Sequence, residues 1–329
     1  MSEHDHPEIN DRWILELRGN KKPVDPFRPG AFFTEEEPTP EGRPEKVNTI
    51  LLTNMECRFK CLMCDLWRKT TDRRTPAGAI PKQIEWALEQ MPPAHSIKLY
   101  NSSNFFDPRS IPVTDYKRIA ELVEGYETVI VENHPNLSGE RVLRFARMIK
   151  PGLQVAMGLE SIHPGGLKQL NKRMTPGDFR RAAGFLKKNG IDSRAFILLR
   201  PPFLNEQEGI HWAIETMKFA FDSEISCCTI IPTRAGNGAM DRLQSEGHFH
   251  PPEIASLESV QEAGIGLGKG LVFADTWDLQ MFSHCEYCFE ERKNRINHMN
   301  LTQEIPPPVR CNCSPGKLSG SFAIFIPSK

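Results

Sequence analysis

The chain has 329 residues, 39% of them hydrophobic and 25% charged, a composition that supports one large core or two smaller ones. Its 41 Lys and Arg nearly cancel its 42 Asp and Glu, so no global basic field points to a nucleic-acid partner, although a local patch would be invisible in that sum. Residues 1–10 lack the apolar core of a signal peptide, and no run of about 18 apolar residues occurs that would span a membrane. A cytoplasmic protein is expected, in which nine cysteines serve as metal ligands or buried thiols rather than disulfides.

Residues 1–46 read as an extended, mostly irregular N-terminal arm. Pro23, Pro26, Pro29, Pro38, Pro40 and Pro44 interrupt any helix, and Glu35-Glu36-Glu37 adds a solvated charge run. From residue 47 strand-like runs at 47–53, 97–100, 128–132, 153–158, 195–199 and 229–231 alternate with helix-like stretches at 81–91, 115–124, 139–149, 176–189 and 206–221. The helix after Thr175 is well signed: Thr175 is the N-cap, Pro176 takes the first helical position, Asp178 completes the capping pattern and Gly190 closes it. This alternation predicts a parallel α/β sheet, and an open doubly wound sheet and a partial (β/α)6 barrel share the pattern. After Gly238 the alternation ends. A helix at 252–262 leads into the Gly-rich run 264–270, which lacks a G-x-G-x-x-G in a strand-turn-helix unit and reads as a loop or helix end. Residues 241–313 form a helical and cysteine-rich region. Residues 314–329 read as a flexible tail, whose apolar run 322–326 could pack back onto the domain.

The first strand runs into a loop carrying Cys57-x3-Cys61-x2-Cys64. Three closely spaced thiolates can each hold one iron of a cubane cluster, leaving the fourth iron open to a substrate. Zinc is the alternative, but three-cysteine zinc sites recruit a fourth ligand, and C-x2-C is their more usual spacing.

Spacing and position together resemble the signature of the radical S-adenosylmethionine (SAM) superfamily, over roughly residues 47–235. Met63 stands where that superfamily usually has an aromatic residue; it is apolar and adaptable enough to pack beside a cluster and adenine. More narrowly, Cys64-Asp65-Leu66-Trp67, Leu170-Asn171-Lys172-Arg173-Met174-Thr175 and Arg200-Pro201-Pro202-Phe203 resemble the archaeosine-forming tRNA radical SAM enzymes and the elongator catalytic subunit.

The resemblance implies a partial (β/α)6 TIM-type barrel at 47–240, with a [4Fe–4S] cluster on Cys57, Cys61 and Cys64 and with SAM across the carboxyl ends of the strands. It implies reductive cleavage of SAM to a 5′-deoxyadenosyl radical that abstracts hydrogen, with an external electron donor. The substrate stays open between a small molecule, a peptide and tRNA. Asn101 and Ser102, where the superfamily often has Gly-Gly-Glu, are candidates for receiving the SAM amino group, or else form a strand-end turn. The third strand ends in Glu132-Asn133-His134-Pro135. Glu160, in Gly158-Leu159-Glu160-Ser161, is a candidate for the ribose or methionine end of SAM, or else caps a helix or pairs with Arg173. Arg200 is a candidate for the SAM carboxylate. Ile230, Ile231 and Pro232 could flank the adenine or simply pack the core. Arg234 to Gly238 could contact substrate or form a tight exit. Cys227 and Cys228 point to opposite faces of a strand and read as buried thiols.

The tail carries Cys285-x2-Cys288 and Cys311-x-Cys313. Four thiolates suit a closed zinc site or an auxiliary [4Fe–4S] cluster, and spacing does not separate the two. A zinc staple suits a Pro-rich segment with little core of its own, and His284 is an alternative ligand. A chain using both cysteine sets for zinc would be a non-catalytic interaction module, the competing reading.

Overall fold

The structure, a computed structural model, describes residues 7–39, 42–311 and 313; the expected tail at 314–329, with its apolar run at 322–326, lies outside them. Eight strands form a single sheet in sequential order: β1 (Ala31–Pro38), β2 (Pro44–Leu52), β3 (Ser96–Asn101), β4 (Thr128–Glu132), β5 (Gly152–Glu160), β6 (Asp192–Leu199), β7 (Cys227–Pro232) and β8 (Leu271–Ala274). Strand β1 is antiparallel to β2, and every later pairing is parallel. Helix α1 (Asp11–Glu16) precedes the sheet. The crossovers carry α2 (Ala79–Leu88), α3 (Tyr116–Leu122), α4 (Glu140–Ala146), α5 (Gly166–Gln169), α6 (Pro176–Lys188), α7 (Glu206–Asp222), α8 (Ala239–Ser245) and α9 (Ile254–Gly266), and α10 (Glu286–Thr302) follows β8. No helix of the described residues is long and apolar enough to cross a membrane.

The sheet is a partial barrel because it curls. Strands β1 and β6 lie five positions apart, which would be about 24 Å across a flat sheet at about 4.8 Å per strand. Yet Glu37 on β1 grips Arg194 on β6 with two hydrogen bonds of 3.1 and 2.9 Å. The outward face, with Ile50, Leu99, Val131, Val155, Ile197 and Ile230, packs against the crossover helices as one core. The inward face carries polar side chains, including Lys98 and Arg194. Leu257 and Val260 of α9 and Ile296 and Met299 of α10 join the same core, so α9 and α10 pack as part of the barrel's own core.

All six expected strands are present, and α6 has its reciprocal cap between Thr175 and Asp178. The Gly-rich run begins as the end of α9. The arm differs from its expectation. It contains α1, capped by the Asn10 side chain, and the whole of β1. The run Glu35-Glu36-Glu37 is not uniformly solvated: strand alternation exposes Glu36 but turns Glu35 and Glu37 onto buried Lys98, at 2.8 and 2.6 Å. Strand β8 likewise extends the alternation past its expected end, with its N–H and C=O groups met in part by Gln303 and Asn300 side chains.

Candidate metal centres

The loop after β2 delivers Cys57, Cys61 and Cys64, with Cys61 buried and the other two half-buried. Burial pushes the Cys61 thiol up to about 11 and raises Cys64 further, and neighbouring sulfurs add to both shifts, so the three lie within electrostatic reach of one another. The loop is held from several sides. Leu62 N–H donates to Leu170 O at 2.9 Å, and Asn171 Nδ2 donates to Lys60 O at 2.7 Å. Asn237 Nδ2 donates to Leu62 O at 2.7 Å and Cys64 O at 3.2 Å, while its Oδ1 accepts from Met240 N–H. Asn104 Nδ2 donates to the Cys57 sulfur at 3.2 Å. Glu56, just before Cys57, pairs with Arg18 at 2.8 Å, Lys21 at 2.6 Å and Lys60. Burial alone would raise the Glu56 carboxyl, but Lys21, Lys60 and Arg18 hold it at about 2.

The N-terminal arm is part of this clamp. Ile14 of α1 is buried with Leu62, Leu170 and Met240, and Leu17 and Met63 pack beside them. Asp11 accepts from Asn171 Nδ2 at 2.7 Å and pairs with Arg173 at 2.8 Å. Gly238 approaches the arm so closely that a Cβ there would overlap the Leu17 carbonyl oxygen, and its φ of 90° also favours glycine.

The strand ends around the loop are polar. Asn101 donates its backbone N–H to Glu132 Oε2 at 3.0 Å, and burial pushes the Glu132 carboxyl up to about 8. The Asn101 side chain is 2% exposed, and neither of its polar atoms has a partner among the described residues. Ser102, half-buried, follows it. Glu160 Oε1 pairs with Lys172 Nζ at 2.5 Å, not with Arg173. Gly158 makes room for this pair, since a Cβ there would lie 2.5 Å from Lys172 Nζ and overlap the Glu160 carboxylate. Burial works against the Lys172 charge, but Glu160 and the Cys61 sulfur outweigh it and raise its pKa. Arg200 instead pairs with Glu206 and donates to Pro251 O at 2.9 Å, beside an open cleft lined by His250, Met281 and His284. Ile230 lies in the outer core, whereas Ile231 packs beside Leu62. Arg234 is held by Asp275 at 2.9 Å. Cys227 and Cys228 are both fully buried, and burial raises both thiols.

Sequence reasoning picked out the cysteines and overlooked what holds them. Asn104 and Asn237 sit in the loops after β3 and β7, Asn171 in the turn after α5, and each supplies an amide that can donate and accept at once. Polar residues soon after β3 and β7 were the available signal for Asn104 and Asn237.

At the other end of the chain, the sulfurs of Cys285, Cys288, Cys311 and Cys313 all lie within 4.8 Å of one another. Cys285–Cys311 measures 3.8 Å and Cys288–Cys313 3.5 Å. Cys285 caps the N-terminus of α10, where the Cys288 N–H pulls its thiol down to about 7. Arg292 donates to the Cys288 sulfur at 3.4 Å and pairs with Glu258, tying the cluster to α9. These four side chains could bind a metal; His284 is outside the set.

No family model matches the chain. It is 24% identical over 317 residues to an uncharacterized protein of Methanocaldococcus jannaschii, across 89% of this chain and 87% of that one. It is 24% identical over 323 residues to the archaeosine synthase subunit beta of Methanosarcina acetivorans, across 91% of this chain and 92% of that one. The solved structure of Elp3 from Methanocaldococcus infernus superposes with a TM-score of 0.52 at 15% identity, over 77% of this chain and 63% of that one, a likeness of fold. The chain therefore has a radical SAM-like fold and is similar in sequence to proteins named archaeosine synthase subunit beta.

Proposed function

We propose that the protein is a radical SAM enzyme whose Cys57, Cys61 and Cys64 hold a [4Fe–4S] cluster. The observation that carries this reading is the donor set: three cysteines on one loop after β2, pinned by Asn104, Asn171 and Asn237, in a fold of this type. When bound there with SAM and given one electron by an external donor, the cluster supplies a 5′-deoxyadenosyl radical for hydrogen abstraction. Lys172 places a positive charge near the thiolates, which must lose their protons to bind metal. Asn101, with a donor and an acceptor both unpaired, and Ser102 suit the amino end of SAM. Glu160 keeps one oxygen outside its pair with Lys172 for the ribose or methionine end. Arg200 would have to leave Glu206 to meet the SAM carboxylate.

The four C-terminal cysteines fit one tetrahedral zinc ion. A Zn–S bond of about 2.3 Å gives a sulfur–sulfur edge of about 3.8 Å, against the 3.5 and 3.8 Å found. Thiolates bound to four different irons of a cubane would stand further apart.

An RNA nucleoside as substrate is the second reading, alongside a small molecule or peptide. Directly after the cysteine loop, Arg68, Lys69, Arg73 and Arg74 form no ion pair among the described residues. A strip of unpaired cations suits a phosphate backbone, and the relatives named archaeosine synthase point the same way.

The test is anaerobic reconstitution with iron and sulfide. Four additional irons per chain, one retained zinc, a spectrum perturbed by SAM and 5′-deoxyadenosine formed after reduction are expected. Cys57→Ala abolishes the product. Zinc in both cysteine sets with no deoxyadenosine would instead establish the non-catalytic module. RNA binding that does not weaken with salt would remove the second reading.

A further inference from the structure

We propose that Asn104 is a positioning residue that tunes the reduction potential of the cluster through its N–H bond to the Cys57 sulfur, an inference that rests on the cluster reading above. Asn104 is 3% exposed and lies just beyond β3. Its Oδ1 accepts the backbone N–H of His134 at 2.6 Å, and its Nδ2 faces Cys57 Sγ at 3.2 Å. A backbone N–H can only donate, so the oxygen must face His134 and the NH2 group must face the sulfur.

The acceptor half of this clamp is itself fixed. His134 Nδ1 accepts the N–H of Asn136 at 3.2 Å, so the ring proton sits on Nε2 and donates to Lys172 O at 2.9 Å. Phe59, from the cysteine loop, stacks on the same ring at 3.8 Å and 16°. The amide therefore cannot turn away from Cys57 without giving up the His134 bond, and His134 cannot shift without disturbing Phe59 and Lys172.

The three sulfurs differ in surroundings. Cys57 receives a side-chain N–H, Cys64 receives the backbone N–H of Leu66, and Cys61 feels the fields of Lys172 and Arg18. An N–H aimed at a ligand sulfur stabilises added negative charge, so it favours the form of the cluster carrying one more electron. Asn104 thereby makes uptake of the single electron from the external donor easier.

The test uses the full chain reconstituted as wild type, Asn104→Asp, Asn104→Leu and Asn104→Gln, with potentials read by titrating the electron paramagnetic resonance signal of the reduced cluster. Asn104→Asp keeps an oxygen for His134 and loses the donor; it and Asn104→Leu shift the midpoint to more negative potential, and Asn104→Gln restores part of the shift. Wild-type protein carrying 15N-asparagine shows a nitrogen hyperfine coupling to the cluster, whether or not the variants load. A wild-type midpoint in both Asp and Leu variants, or no 15N coupling in the wild type, overturns the inference while leaving the cluster reading intact. A wild type that takes up no iron overturns both.

Discussion

Replacing Glu37 by Gln should remove the ionic floor of the barrel with almost no change in shape. Glu37 Oε1 lies 2.6 Å from Lys98 Nζ and 3.1 Å from Arg194 Nη1, and Oε2 lies 2.9 Å from Arg194 Nη2. Lys98 is 4% exposed and Arg194 6%, so neither cation can recover its hydration if the carboxylate goes. Burial by itself would raise the Glu37 carboxyl, but Arg194 and Lys98 lower it from 4.5 to about 2. At about 1.4 kcal/mol per tenfold, that depression corresponds to about 3 kcal/mol of stability. The sign follows from the folded value lying below the unfolded one: the contribution is complete above pH 4.5 and is lost as pH falls through about 2. Urea unfolding of wild type and Glu37→Gln, followed by circular dichroism from pH 7 to pH 2, should show a gap of about 3 kcal/mol at neutral pH. The gap should narrow as pH falls below about 4.5, where the unfolded carboxyl takes its proton, and be largely gone near pH 2, where the folded one does. Glu35→Gln, which removes the more exposed partner of Lys98, should cost less than about 1 kcal/mol. A neutral-pH gap below about 1 kcal/mol for Glu37→Gln, or one that persists unchanged to pH 2, would refute the idea that β1 is held by this network.

Lys172→Met strands the Glu160 carboxylate, whose side chain is 7% exposed, and should destabilise by about 3–5 kcal/mol in the same unfolding assay. Adding Glu160→Gln should recover most of that loss; if the two changes simply add, the pair is not the source of the cost. Gly238→Ala places a Cβ against the Leu17 carbonyl at a φ of 90° and should detach α1, at a cost of about 1–3 kcal/mol. Limited proteolysis should then cut near Leu17 faster than in the wild type, and an unchanged rate would show that the arm can yield without leaving the barrel.

Local patterns carried the barrel core in the sequence because most strands there are buried apolar runs between helical stretches, two of which, α6 and α7, open on capping boxes. Thr175, Pro176 and Asp178 specify the start of α6 without help from tertiary contacts. Strand β1 carried no such signal. Ala31-Phe32-Phe33-Thr34-Glu35-Glu36-Glu37-Pro38 alternates only between one carboxylate in solvent and two that meet cations from strands 61 and 157 residues away. A carboxylate run is read as solvated unless the partners are known, and no local window contains Lys98 or Arg194. The four C-terminal cysteines were legible as a metal set, but a choice of metal depends on sulfur separations that spacing along the chain does not contain.

The cysteine loop shows the same division between what is local and what is assembled. Its spacing marks three candidate ligands, while its support comes from residues scattered over most of the chain: Arg18 and Lys21 on Glu56, Asn104 on Cys57, Asn171 on Lys60, and Asn237 on Leu62 and Cys64. The groups these asparagines meet are backbone carbonyls and a sulfur, which accept, so every one of the asparagines presents Nδ2 to the loop. Asn104, Asn171 and Asn237 are in turn anchored elsewhere: Asn104 and Asn237 use Oδ1 to hold a backbone N–H, at His134 and Met240, and Asn171 also spans to Asp11 in the arm. The amide's separate donor and acceptor let one short side chain link the loop to another part of the fold in one step. Folding thus fixes the backbone of the cysteine loop through contacts from distant parts of the chain, so much of the entropy of ordering that loop is met by the fold.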